Sequence, residues 1–295
     1  MRIALLASPD SWYARDLARA AAGQHEVTTV GFHNLASSVQ TGQLQVASGE
    51  VPLDAFDCVL VRTMPPGSLE QVVFRMDALG RLEAAGTTVI NPARAIEAAV
   101  DKYLATAKLE AAGLAVPKTI VCQSVDQAME AFAALGEDVV VKPLFGSEGR
   151  GIARLCDDAL ALRAFKMLSG LGAVIYVQEF IEHRNCDYRL LVIGERVLGM
   201  NRCNDNDWRT NISRGARAGP LEVTAELAEL AHRAAACVGA TLAGVDLLPA
   251  RDGTLYAIEV NAVPGWKALS RVVEQDVAAM VLDFASGVIH RPIPA

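Results

Sequence analysis

The chain is poor in the groups that covalent catalysis needs. Its six cysteines, Cys58, Cys122, Cys156, Cys186, Cys203 and Cys237, are scattered without CxxC spacing, so neither a zinc site nor a disulfide framework is indicated and a reducing cytoplasm is the expected setting. The five histidines, His25, His33, His183, His232 and His290, form no ligand cluster and read as surface or structural residues. No Ser–His or Cys–His constellation stands out. Long apolar runs are missing as well: none approaches a membrane span, and Met1–Ala7 is too short for the core of a signal peptide before Ser8-Pro9-Asp10 turns the chain. There are no repeats, heptads or low-complexity segments. A net charge of −7 and a pI near 5.3 argue against a general nucleic-acid or membrane-surface binder. What remains is a 295-residue chain, 52% hydrophobic and 21% charged, with the composition of a soluble globular protein that has room for one large or two to three small cores.

Residues 1–92 alternate short β-branched runs with helical patterns: Ile3–Leu6, a helix near Trp12–Ala22, Glu26–Gly31, Cys58–Arg62, a helix near Leu69–Ala85, and Thr88–Ile90. This predicts an α/β unit with a parallel sheet. No G-x-G-x-x-G follows the first strand, so a dinucleotide fold is not supported. Asn91-Pro92 closes the unit. An alanine-rich helix is expected from Ile96 to Ala112, stopped by Gly113, followed by a strand at Thr119–Cys122. Ser124 and Gln127 carry a capping-box spacing for a helix ending near Leu135-Gly136. From Val139 onward strands come in antiparallel pairs with helices between, the pattern of α+β lobes.

Gly244–Leu248 and Thr254–Asn261 read as strands joined by Asp252-Gly253, a strong hairpin signal. A two-residue loop there sets Asp246 directly opposite Glu259, and Asn261 projects from the same face because side chains alternate along a strand. Two carboxylates about 5 Å apart at an effective dielectric near 20 repel by roughly 3 kcal/mol. A cation between them would relieve this, and two carboxylates plus an amide oxygen form a hard, incomplete ligand set suited to Mg²⁺. A solvated hairpin edge is the alternative, and Pro249 could shift the register.

Val139–Leu155 reads as strand, glycine-rich turn, strand. It lacks the Lys-Ser/Thr and the helix of a Walker loop. Its small residues would let backbone N–H groups approach an anion, flanked by Lys142 and Arg150, or it is an ordinary glycine-rich hairpin. Arg202 to Gly215 gathers Arg202, Arg209 and Arg214, forks suited to phosphate or carboxylate, or else a solvated loop.

In order and spacing these segments resemble the ATP-grasp superfamily, and within it the RimK-like amino-acid ligases, over essentially the whole chain. Asn91-x-x-x-Ala95-Ile96 with Asp101-Lys102, and Gly113–Pro117 with Thr119, are similar to the opening of that family's central domain. The resemblance implies that Lys102 and Lys142 reach ATP phosphates and that Gly146, Ser147, Gly149 and Gly151 form a phosphate lid. By the same resemblance Gln178, Glu179, Phe180 and Ile181 form the strand that reads adenine, with Glu179 and Phe180 at the contacting positions. Asp187 would approach the ribose, followed by Arg189 as in the family. Arg209, Thr210 and Asn211 would lie near the triphosphate, and Arg202 and Arg214 would act catalytically on the acceptor carboxylate and acyl phosphate. Asp246, Glu259 and Asn261 fall at the magnesium positions. Departures are local: Thr210 for serine, Ala216 where a second glycine is frequent, and Trp266 after Pro264-Gly265.

The implied fold is mixed α/β and α+β, with an N-terminal parallel α/β domain (1–92), a central domain with the lid (93–178) and a C-terminal lobe with the metal site (179–295), the two lobes clamping ATP. The implied activity is ADP-forming carboxylate–amine ligation through an acyl phosphate, using ATP and Mg²⁺, two ions, with Mn²⁺ as a substitute. Expected partners are an amino acid, L-glutamate first, and a small acid acceptor; nucleic acid and membrane are not expected, and a homo-oligomer is left open. The ending Asn261–Trp266 resembles ligases of methanopterin-type cofactors. Alternatives are ligation to a protein tail or carrier protein, an ATP-binding regulator without ligation, and a phosphotransferase.

Overall fold

The computed structural model describes residues 1–40, 43–146 and 149–289. Ser147 of the expected lid lies outside them. The first sheet is wholly parallel, in the order β2-β1-β6-β7, from β1 (Arg2–Leu6), β2 (Glu26–Val30), β6 (Cys58–Val61) and β7 (Thr88–Ile90). Helices α1 (Trp12–Ala21) and α2 (Leu69–Ala84) make its crossovers. β6 is buried along its whole length and β1 from Ile3 on, which is why they read as continuous apolar runs. The full reciprocal capping box forms at Ser68/Gln71, whereas Ser124 supplies one arm, accepting from the Gln127 amide.

Three features differ from the sequence-based expectation. A three-stranded sheet of β3 (Leu35–Gln40), β4 (Gln43–Ser48) and β5 (Val51–Pro52) sits between β2 and β6, in a segment without a clear alternating pattern. The helix expected over Ile96–Ala112 is two helices, α3 (Ala93–Val100) and α4 (Lys102–Ala111). Asp101 breaks it: its backbone is extended and its carboxylate accepts from the amides of Tyr103 and Leu104, so it caps a new helix with Lys102 first. Finally, Cys186 and Cys203 form a disulfide, against the expectation of none.

The second sheet, β10-β9-β11-β8, is antiparallel: β8 (Thr119–Cys122), β9 (Val139–Lys142), β10 (Ala153–Leu155) and β11 (Ile175–Glu179), backed by α5 (Val125–Ala134) and α6 (Asp158–Gly170). The third, β14-β13-β12-β15-β16, is antiparallel too: β12 (Cys186–Ile193), β13 (Arg196–Cys203), β14 (Arg217–Pro220), β15 (Leu242–Pro249) and β16 (Leu255–Asn261), with α7 (Ala225–Val238) and α8 (Val277–Ile289). The first and third sheets share two cores. One joins Leu6, Val59 and Leu79 to Leu190, Val245 and Val260, and the other joins Ile3 and Leu60 to Leu191, Trp266 and Val281. The second sheet has its own core around Phe132, Val141, Phe165 and Val177. Helices α3 and α4 pack against α7 and β16. Among the described residues no helix is long and apolar enough to cross a membrane.

The hairpin of β15 and β16 reaches the expected pairing by another route. Its turn is three residues long, since Ala250 N donates to Thr254 O around Arg251-Asp252-Gly253, with Gly253 at φ +92°. That offset pairs Leu247 with Ala257, but a bulge between Asp246 and Leu247 restores Asp246 opposite Glu259 and Gly244 opposite Asn261.

Candidate active site

An open cleft of about 950 Å³ lies between the second and third sheets, and most of the expected site residues line it: Lys102, Lys142, Gly146, Gly149, Gln178–Ile181, Asp187, Arg202, Arg209–Asn211, Asp246 and Glu259. Arg189, Arg214, Gly151 and Asn261 are not among the residues that line it. The bulge explains how β16 contributes. Ala257 and Val260 face the core, while consecutive Ile258 and Glu259 both reach the cleft.

On the third-sheet wall the charges are already paired. Arg202, buried, donates Nε and Nη2 to the two carboxylate oxygens of Asp187 at 2.8 and 2.6 Å, and its Nη2 lies 2.9 Å from Asp246 Oδ2. Thr210 Oγ1 donates to Asp187 Oδ2 at 2.5 Å. Burial and the nearby Asp246 push the Asp187 carboxyl up, while the Arg202 guanidinium and the Thr210 hydroxyl pull the other way. The Asp187 carboxylate is thus committed inside the protein, rather than free for the ribose contact expected of it. Arg189 Nε sits 2.9 Å from Asp246 Oδ1, yet out of line for a hydrogen bond, so this buried oxygen keeps an unsatisfied lone pair and Arg189 Nη1 an unsatisfied donor. The absence of a side chain at Gly244 is what lets Arg189 Nη1 lie there.

This arrangement fits a divalent cation. Asp246 offers a buried orphan oxygen, Glu259 faces it across the hairpin, and Asn261 adds an amide oxygen whose orientation is set by accepting from Val263 N at 2.8 Å.

The second-sheet wall carries cations instead. Lys142, buried at the end of β9, donates to Gln178 Oε1 at 2.6 Å, and Gln178 Nε2 donates to Thr119 Oγ1 and Tyr176 Oη. Gln178 is therefore spent on orienting Lys142. Burial drives the Lys142 ammonium down to about 8, with Glu259 opposing and Lys102 assisting. Lys102 donates to Gly146 O at 2.7 Å, and burial lowers it too, against the pull of Glu259. The lid glycines Gly146, Gly149 and Gly151 all have positive φ. Three residues of the loop between β13 and β14 reach the lid: Arg214 Nη2 donates to Gly149 O at 3.2 Å, Arg209 Nη1 to Ile152 O at 3.4 Å, and Asn211 Oδ1 sits where a side chain at residue 149 would go.

At the far end, Glu179 N donates to Lys118 O and Phe180 N to Asp138 O, so those two amides are already used. Phe180 lies under the Arg154 guanidinium (3.5 Å), which is held by Asp138, with Trp208 and His183 beside it. Sequence reasoning missed this aromatic pocket, and it missed Tyr176, Thr119 and the Asp207 carboxylate that pairs with Arg209 at 2.6 Å. Trp208 and Asp207 sit inside the arginine-rich stretch, where proximity alone could have flagged them. Trp266 does not face the cleft. It is fully buried, its Nε1 donating to Asp16 Oδ2 at 3.0 Å.

A family model described as RimK-like ATP-grasp domain matches residues 99–285. A tetrahydromethanopterin:alpha-L-glutamate ligase of Methanosarcina acetivorans is 34% identical, over 96% of this chain and 98% of that protein. An alpha-aminoadipate–LysW ligase LysX of Saccharolobus solfataricus is 33% identical over 70% of this chain and 76% of its own length. Among solved structures, a RimK domain ATP-grasp protein of Sphaerobacter thermophilus superposes with a TM-score of 0.73 at 26% identity, covering 97% of this chain and all of that one. The ATP-grasp ligase PsnB complexed with a minimal precursor gives 0.77 at 23% identity, covering 97% and 98%.

Proposed function

Because the chain belongs to the RimK-like ATP-grasp family, we propose that it is an ADP-forming carboxylate–amine ligase that adds L-glutamate to a small anionic acceptor of pterin type. The observation that carries this is the cleft itself: the buried Lys142 and the half-buried Lys102 lie across it from two opposed carboxylates, Asp246 and Glu259, a layout that brackets a triphosphate. The pterin-type acceptor rests on the named activity of relatives similar over nearly the whole chain. The units are 1–92, 93–178 and 179–295, with ATP between the second and third.

In this reading adenine stacks near Phe180, and Glu179 and Phe180 present carbonyls rather than their occupied amides, leaving Ile181 as the amide donor. Lys102, Lys142 and the lid glycines bind the phosphates. Asp246, Glu259 and Asn261 would hold Mg²⁺, which supplies charge neutralisation on the transferring phosphoryl group. An oxygen of the acceptor carboxylate attacks the γ-phosphorus and ADP leaves. The glutamate amine then attacks the acyl carbon, the C–N bond forms, and inorganic phosphate and a proton depart. Arg214, which reaches the lid at Gly149 O, supplies positive charge where the acyl phosphate forms, while Arg202, expected to act there with it, has its Nε and Nη2 on Asp187 and Asp246 and acts by fixing those carboxylates. The lid, held by Arg209, Asn211 and Arg214, keeps water from it. No protein nucleophile is needed, in keeping with the sequence.

The test is ADP release with and without L-glutamate against a panel of carboxylic acids that includes reduced pterins with acidic side chains. Turnover that requires both acid and amine, with an amide product by mass spectrometry, is expected. ATP binding without turnover, or ADP release dependent on a hydroxyl compound, would overturn the ligase reading.

A further inference from the structure

Arg62 is fully buried immediately after β6, at the carboxyl ends of the first sheet. The strand order β2-β1-β6-β7 sends one crossover to each side, so the switch point lies between β1 and β6, where open α/β sheets ordinarily take a ligand. Here the crevice is filled by the protein's own chain. Trp266 enters it, 4.3 Å beneath the Arg62 guanidinium and 5.1 Å from the Tyr13 ring. Among the described residues Arg62 has no carboxylate partner. Its Nη2 donates to Pro264 O, its Nε and Nη1 have no acceptor, and aromatic faces take their place. If the position served packing alone, an apolar side chain would fill it without desolvating a cation.

What Arg62 grips is the segment that leaves the end of β16 directly after Asn261. Asn91, also between the first sheet and α3, grips the same segment, donating to Ala262 O at 2.6 Å while it is itself saturated by Thr241 and Leu242. Both residues outside the C-terminal lobe thus fix the carbonyls flanking Val263, whose amide orients the Asn261 oxygen.

We propose that Arg62 is a positioning residue for the divalent-cation site, holding Pro264 and Trp266 so that Asn261 keeps the oxygen orientation that Val263 N sets, two residues beyond Glu259 on the same strand. This rests on the reading of Asp246, Glu259 and Asn261 as cation ligands. It makes the first sheet a part of the reaction's metal site and not only a neighbouring unit.

The test uses the full-length protein and the variants Arg62→Met, Arg62→Lys and Asn261→Ala. Mn²⁺ affinity is measured by electron paramagnetic resonance titration in the presence of a non-hydrolysable ATP analogue, together with the Mg²⁺ dependence of ADP release. Arg62→Met should weaken cation binding about tenfold, the usual scale for an outer-shell change at a metal site, with nucleotide affinity at saturating cation unchanged. Arg62→Lys should recover part of that loss, because an ammonium can still donate to Pro264 O but cannot lie flat on Trp266. It also serves if the Met variant does not fold. Unchanged cation affinity in the Arg62 variants, with only a lowered melting temperature, overturns the proposal while Asn261→Ala still weakens binding. If Asn261→Ala binds Mn²⁺ like wild type, the cation-site reading falls and takes the proposal with it.

Discussion

The two walls of the cleft hold charge in opposite ways. On the third sheet Asp187, Arg202, Asp246 and Arg189 form a chain of contacts at 2.6–2.9 Å, so charge is balanced before any ligand arrives. Opposite it, Lys142 at the end of β9 and Lys102 at the start of α4 are bonded, among the described residues, to the neutral oxygens Gln178 Oε1 and Gly146 O. One wall carries both signs of charge in contact, with Asp246 Oδ1 and Arg189 Nη1 left without a hydrogen bond, and the other presents cations alone. The packing follows the same division. The third sheet shares its cores with the first, whereas the second sheet closes a core of its own with α5 and α6.

Among the described residues Glu259 acts on both Lys102 and Lys142 and has no hydrogen bond of its own, so its removal should produce the largest effect. Glu259→Ala should lower ADP release by about two orders of magnitude, corresponding to about 3 kcal/mol of lost transition-state stabilisation, with the fold intact. Near-wild-type turnover at limiting Mg²⁺ would show that the opposed carboxylates do not form a cation site.

Breaking the balanced wall should cost stability. Asp187→Ala leaves the buried Arg202 with Asp246 alone and should destabilise the protein by about 3 kcal/mol, measured by denaturant unfolding. The double variant Asp187→Ala/Arg202→Met should recover part of the loss. If the single variant is as stable as wild type, that wall is not held by its ion pairs.

The cationic wall should show itself through protons. Burial places the folded Lys142 near 8 against an ordinary value of 10.5, so the native state binds fewer protons than the unfolded chain between those limits. The cost to stability is therefore fully present below about pH 8 and is relieved as pH rises toward 10.5. Triphosphate binding reverses the burden. It favours the ammonium, so ATP affinity should fall as pH rises through about 8, with proton uptake visible by calorimetry in buffers of different ionisation enthalpy. Lys142→Ala should weaken ATP by about 1.5–3 kcal/mol and abolish that uptake. Retained uptake would assign the proton to another group.

The parallel first sheet and the pairing of Asp246 with Glu259 were legible because both follow from short-range periodicity. The glycine-rich turn with Lys142 beside it was legible as an anion-binding hairpin or an ordinary one, whereas Lys102 entered only through the resemblance. The hairpin expectation was right in outcome while its two-residue turn was wrong, because a bulge is a local departure that alternation cannot show. Partners such as Gln178 for Lys142 depend on strands far apart in sequence. One miss was avoidable. A two-residue turn at Gly194-Glu195 makes paired positions sum to a constant, and that sum sets Cys186 opposite Cys203 and Asp187 opposite Arg202, as observed. The same arithmetic that located the carboxylate pair would have located the disulfide and the buried ion pair beside it.

The bulge on β16 also separates two properties that neighbouring residues would normally share. Ile258 is the extra residue, an apolar floor tile of the cleft, and Glu259 is the charged one next to it. Excising the codon for Ile258 would restore an unbroken ladder in which Ala257 still faces inward and the carboxylate still meets Asp246. The contour of the cleft can therefore change through chain length alone, leaving the pairing of Asp246 with Glu259 untouched. On this hairpin, a lineage could retune its floor by a deletion where most sites would require a substitution.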